Sequence, residues 1–176
     1  MLKQEKRSSL VLVLSVFLVA VLVAADQLLK WCATVWLAPV GQADLLPGIL
    51  GLRYVLNDGA AFSSFSGSRW LLVIVTTAAL IAVAVWMIVK RPSGLLYWFG
   101  ILVLAGGIGN LIDRVRTGVV VDYLEFRFIQ FPVFNLADIL VCTAMGLLIL
   151  YTILDALNER RSNAAQKDAA NTDGEA

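Results

Sequence analysis

The sequence contains no histidine among its 176 residues, and this absence removes several kinds of catalytic site. A serine or cysteine nucleophile activated by histidine is excluded, as is a zinc-binding helix that uses histidine ligands. Only two cysteines are present, Cys32 and Cys142. They lie far apart, in or beside apolar runs, so we expect small buried hydrophobic residues rather than a disulfide or a nucleophile.

Charge is also scarce in this sequence. Charged residues make up 15% of the chain and the formal net charge is +1, so the composition gives no support to nucleic-acid binding. Hydrophobic residues instead make up 60%, and the mean hydropathy is +0.82. These values lie far from those of a soluble globular protein. The composition therefore predicts a membrane protein.

Four apolar runs are candidates for membrane-spanning helices, which need roughly 20 mostly apolar residues each. They cover residues 10–25, 71–89, 94–112 and 139–154. A cleaved signal peptide is the alternative for the first run, because a basic segment precedes it. Its apolar pattern continues to Trp31 and Trp36, which suit a membrane interface, so we favour a retained anchor.

Four spans place both chain ends on one side of the membrane. Eight of the fourteen basic residues then lie on that side, which the positive-inside rule identifies as cytoplasmic. They are Lys3, Lys6, Arg7, Lys90, Arg91, Arg160, Arg161 and Lys167. We expect residues 1–160 to form one membrane domain, and residues 161–176, rich in Ala, Asn and Asp, to be a disordered cytoplasmic tail.

The same topology brings four aspartates to the outer face: Asp26, Asp113, Asp122 and Asp138. Carboxylates near hydrocarbon cost free energy, so each is a functional-site hypothesis. A shared site explains their clustering on one side better than chance does.

Asp122 lies in a segment, residues 119–128, whose β-branched and aromatic residues predict a strand. In such a strand Asp122 shares a face with apolar side chains, which would raise its pKa. Residues 50–56 also predict a strand, followed by Asn57-Asp58-Gly59, which is typical of a turn. A simple hairpin tip is the alternative for that turn.

Asp138 has the opposite setting, because Asn135 is a good N-cap residue for the fourth helix. Asp138 is then the third helical residue, where free backbone N–H groups and the helix dipole favour its ionised form. A purely structural capping box is the alternative. Two carboxylates in opposed environments suit general acid–base chemistry on water, in which one accepts a proton while the other donates one.

The third apolar run ends in polar residues after a surface of small ones, residues 105–109, that suits close helix contact. Asp113 beside Arg114 indicates an ion pair or a clamp on the next loop. Asp26 and Lys30 share a helix face, which indicates an internal pair or contact with a lipid head group.

Together these segments resemble the lipoprotein signal peptidases, also called signal peptidase II. The resemblance runs from roughly residue 26 to residue 154 and rests on five motifs in order. They are Asp26-Gln27 with Lys30, Asn57-Asp58-Gly59-Ala60-Ala61-Phe62, Gly106-Gly107-Ile108-Gly109-Asn110-Leu111-Ile112-Asp113-Arg114, Gly118-Val119-Val120-Val121-Asp122-Tyr123 and Phe134-Asn135-Leu136-Ala137-Asp138. Tyr123 stands where the family often has Phe.

The resemblance implies a mainly α-helical membrane protein with four transmembrane helices, a small periplasmic β-cradle and a short interfacial helix. It implies an aspartyl protease of the bacterial inner membrane that cuts the signal peptide from diacylglyceryl-prolipoprotein, just before the modified cysteine. Neither a metal nor a cofactor is expected, membrane lipid is a partner, and globomycin is the expected inhibitor. The implied catalytic pair is Asp122 and Asp138. The implied residues of site support are Asn57, Gly109, Asn110, Arg114, Asn135, Asp26, Lys30 and Asp113.

Three other functions compete with this one. A Ser-Lys protease would use Ser63 or Ser64 with Lys30 as base. A transporter or proton channel would use the four aspartates as a relay, at mid-membrane depth rather than at one face. A non-enzymatic assembly factor would leave the two opposed carboxylates unexplained.

Overall fold

The structure, a computed structural model, describes residues 2–59 and 67–173, and the side-chain surroundings of residues 10–59 and 67–163. The elements in chain order are α1 (Leu2–Cys32), β1 (Gln42–Leu46), β2 (Leu50–Asn57), α2 (Arg69–Lys90), α3 (Gly94–Arg116), β3 (Val120–Phe126) and α4 (Leu136–Asp173). A π-helical turn, Ala33–Leu37, extends α1.

Four helices among the described residues are long and apolar enough to cross a membrane. Their spans are Leu10–Leu37, Arg69–Lys90, Gly94–Arg116 and Leu136–Asn163. Each contains one of the four apolar runs, so the predicted fold class is confirmed. Many large apolar side chains of these helices point away from the bundle, as Ile74 and Ile149 do. Such exposure is expected where lipid, rather than protein, surrounds a helix.

α3 is the central helix, against which α1, α2 and α4 all pack. α1 runs parallel to α3, since Ser15 meets Tyr97 near one end and Lys30 meets Asn110 near the other. Only residues 91–93 separate α2 from α3, so α2 runs in the opposite direction. We call the end of the bundle that carries the three strands the sheet end, and the opposite one the terminal end.

Small residues on α3 let α4 approach closely. Gly106 and Gly109 are buried on the face that meets the start of α4. A Cβ on Gly106 would collide with the backbone carbonyl oxygen of Ala137, and one on Gly109 would lie 3.3 Å from the Ala137 Cβ. α4 therefore begins at the sheet end and returns towards the terminal end, where α1 also begins.

The three strands form an antiparallel sheet in the order β1-β2-β3. β2 and β3 were predicted, and their register places Val55 opposite Asp122 and Asn57 opposite Val120. β1 was not predicted, because its residues Gln-Ala-Asp-Leu-Leu are all exposed and carry neither alternation nor β-branched side chains. Pairing with β2 determines this edge strand.

The sheet is attached to the bundle on two sides. Tyr123 packs with Ala33 and Leu37 in a small apolar cluster above α1. Phe134 pairs with Leu124 through backbone bonds of 2.8 and 2.9 Å, in both directions. The chain that enters α4 is therefore held against β3.

The prediction that both cysteines are buried is wrong. Cys32 is half-buried and Cys142 is exposed at the protein surface. The two side chains lie on membrane-spanning helices, where lipid can cover an apolar residue that the protein leaves open.

Two expectations about the outer loops and the tail stay predictions. No separate short interfacial helix lies within residues 2–59 and 67–173, and residues 60–66, with Ser63 and Ser64, lie outside the described part of the chain. α4 continues as a helix to Asp173, whereas the composition of residues 161–176 favours disorder. The domain boundary at residue 160 also stays a prediction.

We predict that Gly106→Ala destabilises the bundle by about 1–3 kcal/mol, since the new methyl group meets a backbone oxygen that cannot rotate away. Gly146→Ala is the matched control, because nothing lies within 4 Å of its Cβ position. That change should be neutral or stabilising by up to about 1 kcal/mol. Unfolding in detergent micelles measures both, and equal stabilities for the two variants would contradict close packing at Gly106.

Candidate active site

A cavity of about 580 Å³ lies at the sheet end of the bundle. Asp122 and Asp138 both line it. Other polar lining residues include Asn57, Asn110 and Arg114, and the apolar wall includes Val120, Phe126, Phe131, Phe134 and Ile139. A mostly apolar cavity with a few convergent polar groups is typical of a ligand site.

Asp122 lies on β3 and is only 2% exposed. Asn57 donates to its Oδ2 at 3.0 Å, and Asn135 donates to its Oδ1 at 2.7 Å. Burial raises the pKa of Asp122 from 3.8 to about 6. The nearby Asp138 charge acts in the same direction, whereas the bonds from Asn57 and Asn135 oppose it. The predicted direction for this strand carboxyl is therefore confirmed.

Asp138 is the third residue of α4, as predicted. It forms a capping box with Asn135, in which the Asn135 N–H donates to Asp138 Oδ2 and the Asp138 N–H donates to Asn135 Oδ1, both at 3.0 Å. The other oxygen, Oδ1, accepts a 2.8 Å bond from Asn110 Nδ2. The carboxyl therefore caps the helix and lines the cavity at the same time, so the structural alternative and the site hypothesis do not exclude each other.

Two asparagines connect the aspartates. Fully buried Asn135 donates from Nδ2 to Asp122 Oδ1 and also, at 3.1 Å, to Asn110 Oδ1. Asn110 in turn donates to Asp138. Residues 13 and 28 positions apart along the chain are thereby brought into one network.

Lys30 connects this network to two further carboxylates. Its Nζ lies 2.9 Å from Asp26 Oδ2 and 2.9 Å from Asp113 Oδ2. It also donates to Asn110 Oδ1 at 2.8 Å. Asp26 is fully buried and Lys30 is 3% exposed, which places both groups inside the protein rather than at a lipid head group.

Asp26 also connects α1 to α4. Its Oδ1 accepts the backbone N–H of Ala137 at 2.9 Å, which satisfies one of the free donors in the first turn of α4. This approach requires glycine at position 109, where a Cβ would lie 2.5 Å from Asp26 Oδ2.

Asp113 and Arg114 do not pair with each other. Asp113 turns to Lys30, while Arg114 Nη2 donates to the carbonyl oxygen of Gly59 at 2.8 Å. Arg114 therefore clamps backbone, as one of the two predictions had it. The clamped loop is the one after β2, however, and not the loop after α3. Gly59 N–H also donates to Asn57 Oδ1 at 3.0 Å, so the turn at Asn57 belongs to the site.

Sequence reasoning missed three contributors. Gln27 donates to Asp113 Oδ1 and to the Gly109 carbonyl oxygen, both at 3.1 Å. Arg69 donates to the carbonyl oxygens of Arg114 and Val115, at 2.8 and 2.6 Å. The hydroxyl of Tyr123 accepts the N–H of Leu136 at 3.3 Å, at the start of α4.

Each of these contributors left only a weak signal in the sequence. Gln27 sits beside Asp26, Arg69 is a lone cation at the start of an apolar run, and Tyr123 replaces a frequent Phe. None of these features specifies its partner, which lies on another element in every case.

Metal ligands are not grouped at this site. Within residues 2–59 and 67–173, no three acidic or cysteine side chains are arranged to hold a metal ion. The expected independence from metals stays a prediction.

The fold and this cavity define a multi-pass membrane protein with a candidate two-carboxylate site at one end of its bundle. The sequence model of the family described as "Signal peptidase (SPase) II" matches residues 18–154. The chain belongs to this family.

Individual relatives agree with the family match. A "Lipoprotein signal peptidase" from Lactococcus lactis subsp. lactis is 41% identical over 143 residues, which is 81% of this chain and 95% of that protein. Another from Symbiobacterium thermophilum is 40% identical over 146 residues, covering 80% and 95% of the two chains. A solved structure titled "Bacterial membrane enzyme structure by the in meso method at 2.3 A resolution" is 29% identical, with a TM-score of 0.71 over 82% of this chain and 90% of that one.

We predict that Lys30→Met destabilises the protein by about 3–5 kcal/mol, because it leaves the buried Asp26 and Asp113 carboxylates without their shared cation. Lys90→Met is the control, since Lys90 is exposed at the end of α2. Chemical unfolding in micelles measures both. Adding Asp113→Asn to Lys30→Met should recover part of the loss, and a Lys30 variant as stable as the control would contradict the role of this ion cluster.

Proposed function

We propose that this protein is an aspartic endopeptidase of the bacterial inner membrane that removes the signal peptide from prolipoproteins, cutting before the diacylglyceryl-modified cysteine. Membership of the signal peptidase II family and its similarity to lipoprotein signal peptidases support the substrate class. The observation that carries the mechanism is that Asp122 and Asp138 line one cavity in contrasting surroundings.

The surroundings favour a single shared proton that rests on Asp122. Asp138 lies at the N-terminal end of α4 and accepts two N–H bonds, one from the Asn110 side chain and one from the Asn135 backbone. Asp122 is buried, and its pKa is raised to about 6. Two close carboxyl groups do not ionise together readily, so the more strongly desolvated one keeps the proton.

In the proposed reaction a water molecule between the two carboxyl groups loses a proton to Asp138 and attacks the carbonyl carbon of the scissile peptide. Asp122 gives its proton to the carbonyl oxygen, which produces a neutral tetrahedral intermediate. When the C–N bond breaks, Asp138 returns its proton to the leaving nitrogen and Asp122 recovers one from a hydroxyl group of the intermediate. The products are a carboxylic acid and an amine, and both aspartates end as they began.

The Lys30 cluster supports this assignment by fixing Asn110. An ammonium group has only donors, so the Asn110 atom that faces Lys30 must be the amide oxygen. The amide NH₂ then faces Asp138 and donates to its Oδ1. We assign Lys30, Asp26 and Asp113 to positioning, and Asn110 and Asn135 to orienting the pair.

The apolar wall of the cavity suits an apolar, lipidated substrate. Phe126, Phe131 and Phe134 form a cluster of ring contacts, with ring centroids 4.9 to 5.9 Å apart. Apolar signal-peptide side chains and an acyl chain are compatible with such a wall. Globomycin, which blocks the family, is expected to compete for the same cavity, and surrounding membrane lipid is expected to contact its open side.

The distribution of basic residues supports a location of the site near the periplasmic face, with both chain ends cytoplasmic. A transporter is disfavoured, because the four aspartates gather at the sheet end rather than along the bundle. A Ser-Lys protease is disfavoured, because Lys30 is buried against two carboxylates and an amide.

The central test compares Asp122→Asn and Asp138→Asn on a diacylglyceryl prolipopeptide. Each change should lower turnover by at least about 10²–10⁴-fold, since each removes a general acid or base while keeping the shape of the side chain. Asp44→Asn is the matched control, an exposed β1 aspartate paired only with Arg127 in the described contacts, and should turn over normally. Assays of product formation in micelles measure all three.

Turnover retained by either site variant would overturn the pair. An unlipidated twin peptide tests the substrate class, and equal cleavage of both peptides would contradict recognition of the lipid.

Addition of a chelator should leave the rate unchanged, and strong inhibition would indicate a metal-dependent reaction instead.

A pH profile tests the position of the proton. The singly protonated pair is the active form, so kcat/KM should fall as pH rises through the upper pKa, which belongs mainly to Asp122. Asn57→Ala removes a donor that stabilises the charged form, so the pKa of Asp122 rises. The alkaline limb should move upward by roughly one pH unit. Arg53→Gln, exposed on the same strand, should leave it in place, and a downward move in Asn57→Ala would contradict the assignment.

A further inference from the structure

A second cavity lies between α1, α2 and α3 at the terminal end of the bundle. Its volume is about 810 Å³, within the range of lipid- and drug-sized sites. The described residues that line it include no carboxylate, and most are apolar, such as Val16, Val19, Ala84, Leu104 and Ile108. None of them belongs to the network around Asp122 and Asp138.

The length of this cavity corresponds to one leaflet of a membrane. Its lining on α3 runs from Tyr97 to Ile108, a rise of about 16 Å at 1.5 Å per residue. The hydrocarbon core of a bilayer is about 30 Å thick. An apolar space of this depth therefore suits one acyl chain that enters from the terminal end.

The charged and hydroxyl side chains of the lining, Arg91, Ser15 and Tyr97, lie in the half of the cavity nearer the terminal end. Arg91 lines it beside Pro92, at the turn that ends α2. Arg91 has a left-handed backbone (φ 46°), and its N–H caps the carbonyl oxygen of Met87. The hydroxyl groups of Ser15 and Tyr97 bond to each other at 3.0 Å next to the apolar part. A cation at the terminal end, with hydroxyls and then hydrocarbon deeper in the cavity, follows the order of polarity along a phospholipid, and an anionic head group complements the cation.

We propose that this cavity binds an acyl chain of an anionic phospholipid, with the phosphate at Arg91. The lipid comes from the membrane leaflet at the terminal end of the bundle. Water is a poor occupant of a space with such an apolar lining. The site is separate from the proposed catalytic cavity and does not depend on the proposed function.

Native mass spectrometry of the full-length protein, titrated with phosphatidylglycerol or with phosphatidylcholine of the same chains, tests the head group. Wild-type protein should prefer phosphatidylglycerol. Arg91→Gln should weaken its binding by about fivefold, the effect of one basic residue near a membrane surface, and should leave phosphatidylcholine unchanged. Lys90→Gln is the matched control, because Lys90 is exposed and does not line the cavity. Equal losses in the two variants would reduce the effect to general surface charge and overturn the proposal.

A second pair of variants tests the acyl chain. Ala84→Trp places a large side chain in the cavity and should abolish the specific lipid adduct, whereas Ala82→Trp, on the exposed face of α2, should keep it. Thermal unfolding checks that both variants fold. If Ala84→Trp fails to fold, the comparison of Arg91→Gln with Lys90→Gln decides the question. Lipid adducts that persist in Ala84→Trp, or a dimer that forms in place of lipid binding, would overturn the proposal.

Discussion

The ammonium group of Lys30, held between the carboxylates of Asp26 and Asp113, is the interaction on which the sheet end of the bundle depends. A buried charge is tolerated only when it is paired and hydrogen-bonded, and here one cation serves two anions and an amide oxygen. The cluster joins α1 to α3 directly. Through the bond from Ala137 to Asp26 it also reaches the first turn of α4. Three of the four membrane helices thereby meet at one polar point.

The start of α4 shows how one short segment can serve structure and chemistry together. A helix that begins inside a protein must find partners for its free N–H groups. In α4 the partners are the carboxyl groups of Asp138 and Asp26 and the Asn135 amide. The same bonds orient a carboxylate towards the cavity. Phe134, paired with β3, fixes the point at which the helix begins. The position of the Asp138 carboxyl group that caps α4 is therefore also the position that the proposed catalysis needs.

Local features of the sequence predicted the four helices, two of the three strands and the surroundings of Asp122 and Asp138. Each of these depends on nearby residues: an apolar run, a β-branched segment or an N-cap. The partner of Asp113 could not be predicted in this way. The packing of α3 on α1 brings Asp113 to Lys30, whereas its neighbour Arg114 reaches Gly59. β1 exists because it pairs with the free edge of β2. The exposure of the cysteines depends on which helix faces the bundle covers, and an apolar run does not show this. Such properties arise from contacts between elements and leave no pattern along the chain.

The bond between Asp26 and Ala137 joins residues 111 positions apart, one in the first membrane helix and one in the last. Because Asp26 and Lys30 are i,i+4 neighbours on α1, each offers the other a partner before α3 and α4 have been synthesised. Asn110 and Asp113 join them only when α3 inserts, and Ala137 follows with α4. The partners of the cluster therefore follow one another along the chain, and the last of them is supplied by α4. A chain that stops before α4 lacks both Asp138 and the last partner of Asp26, so the proposed pair cannot form until the last membrane helix has been made.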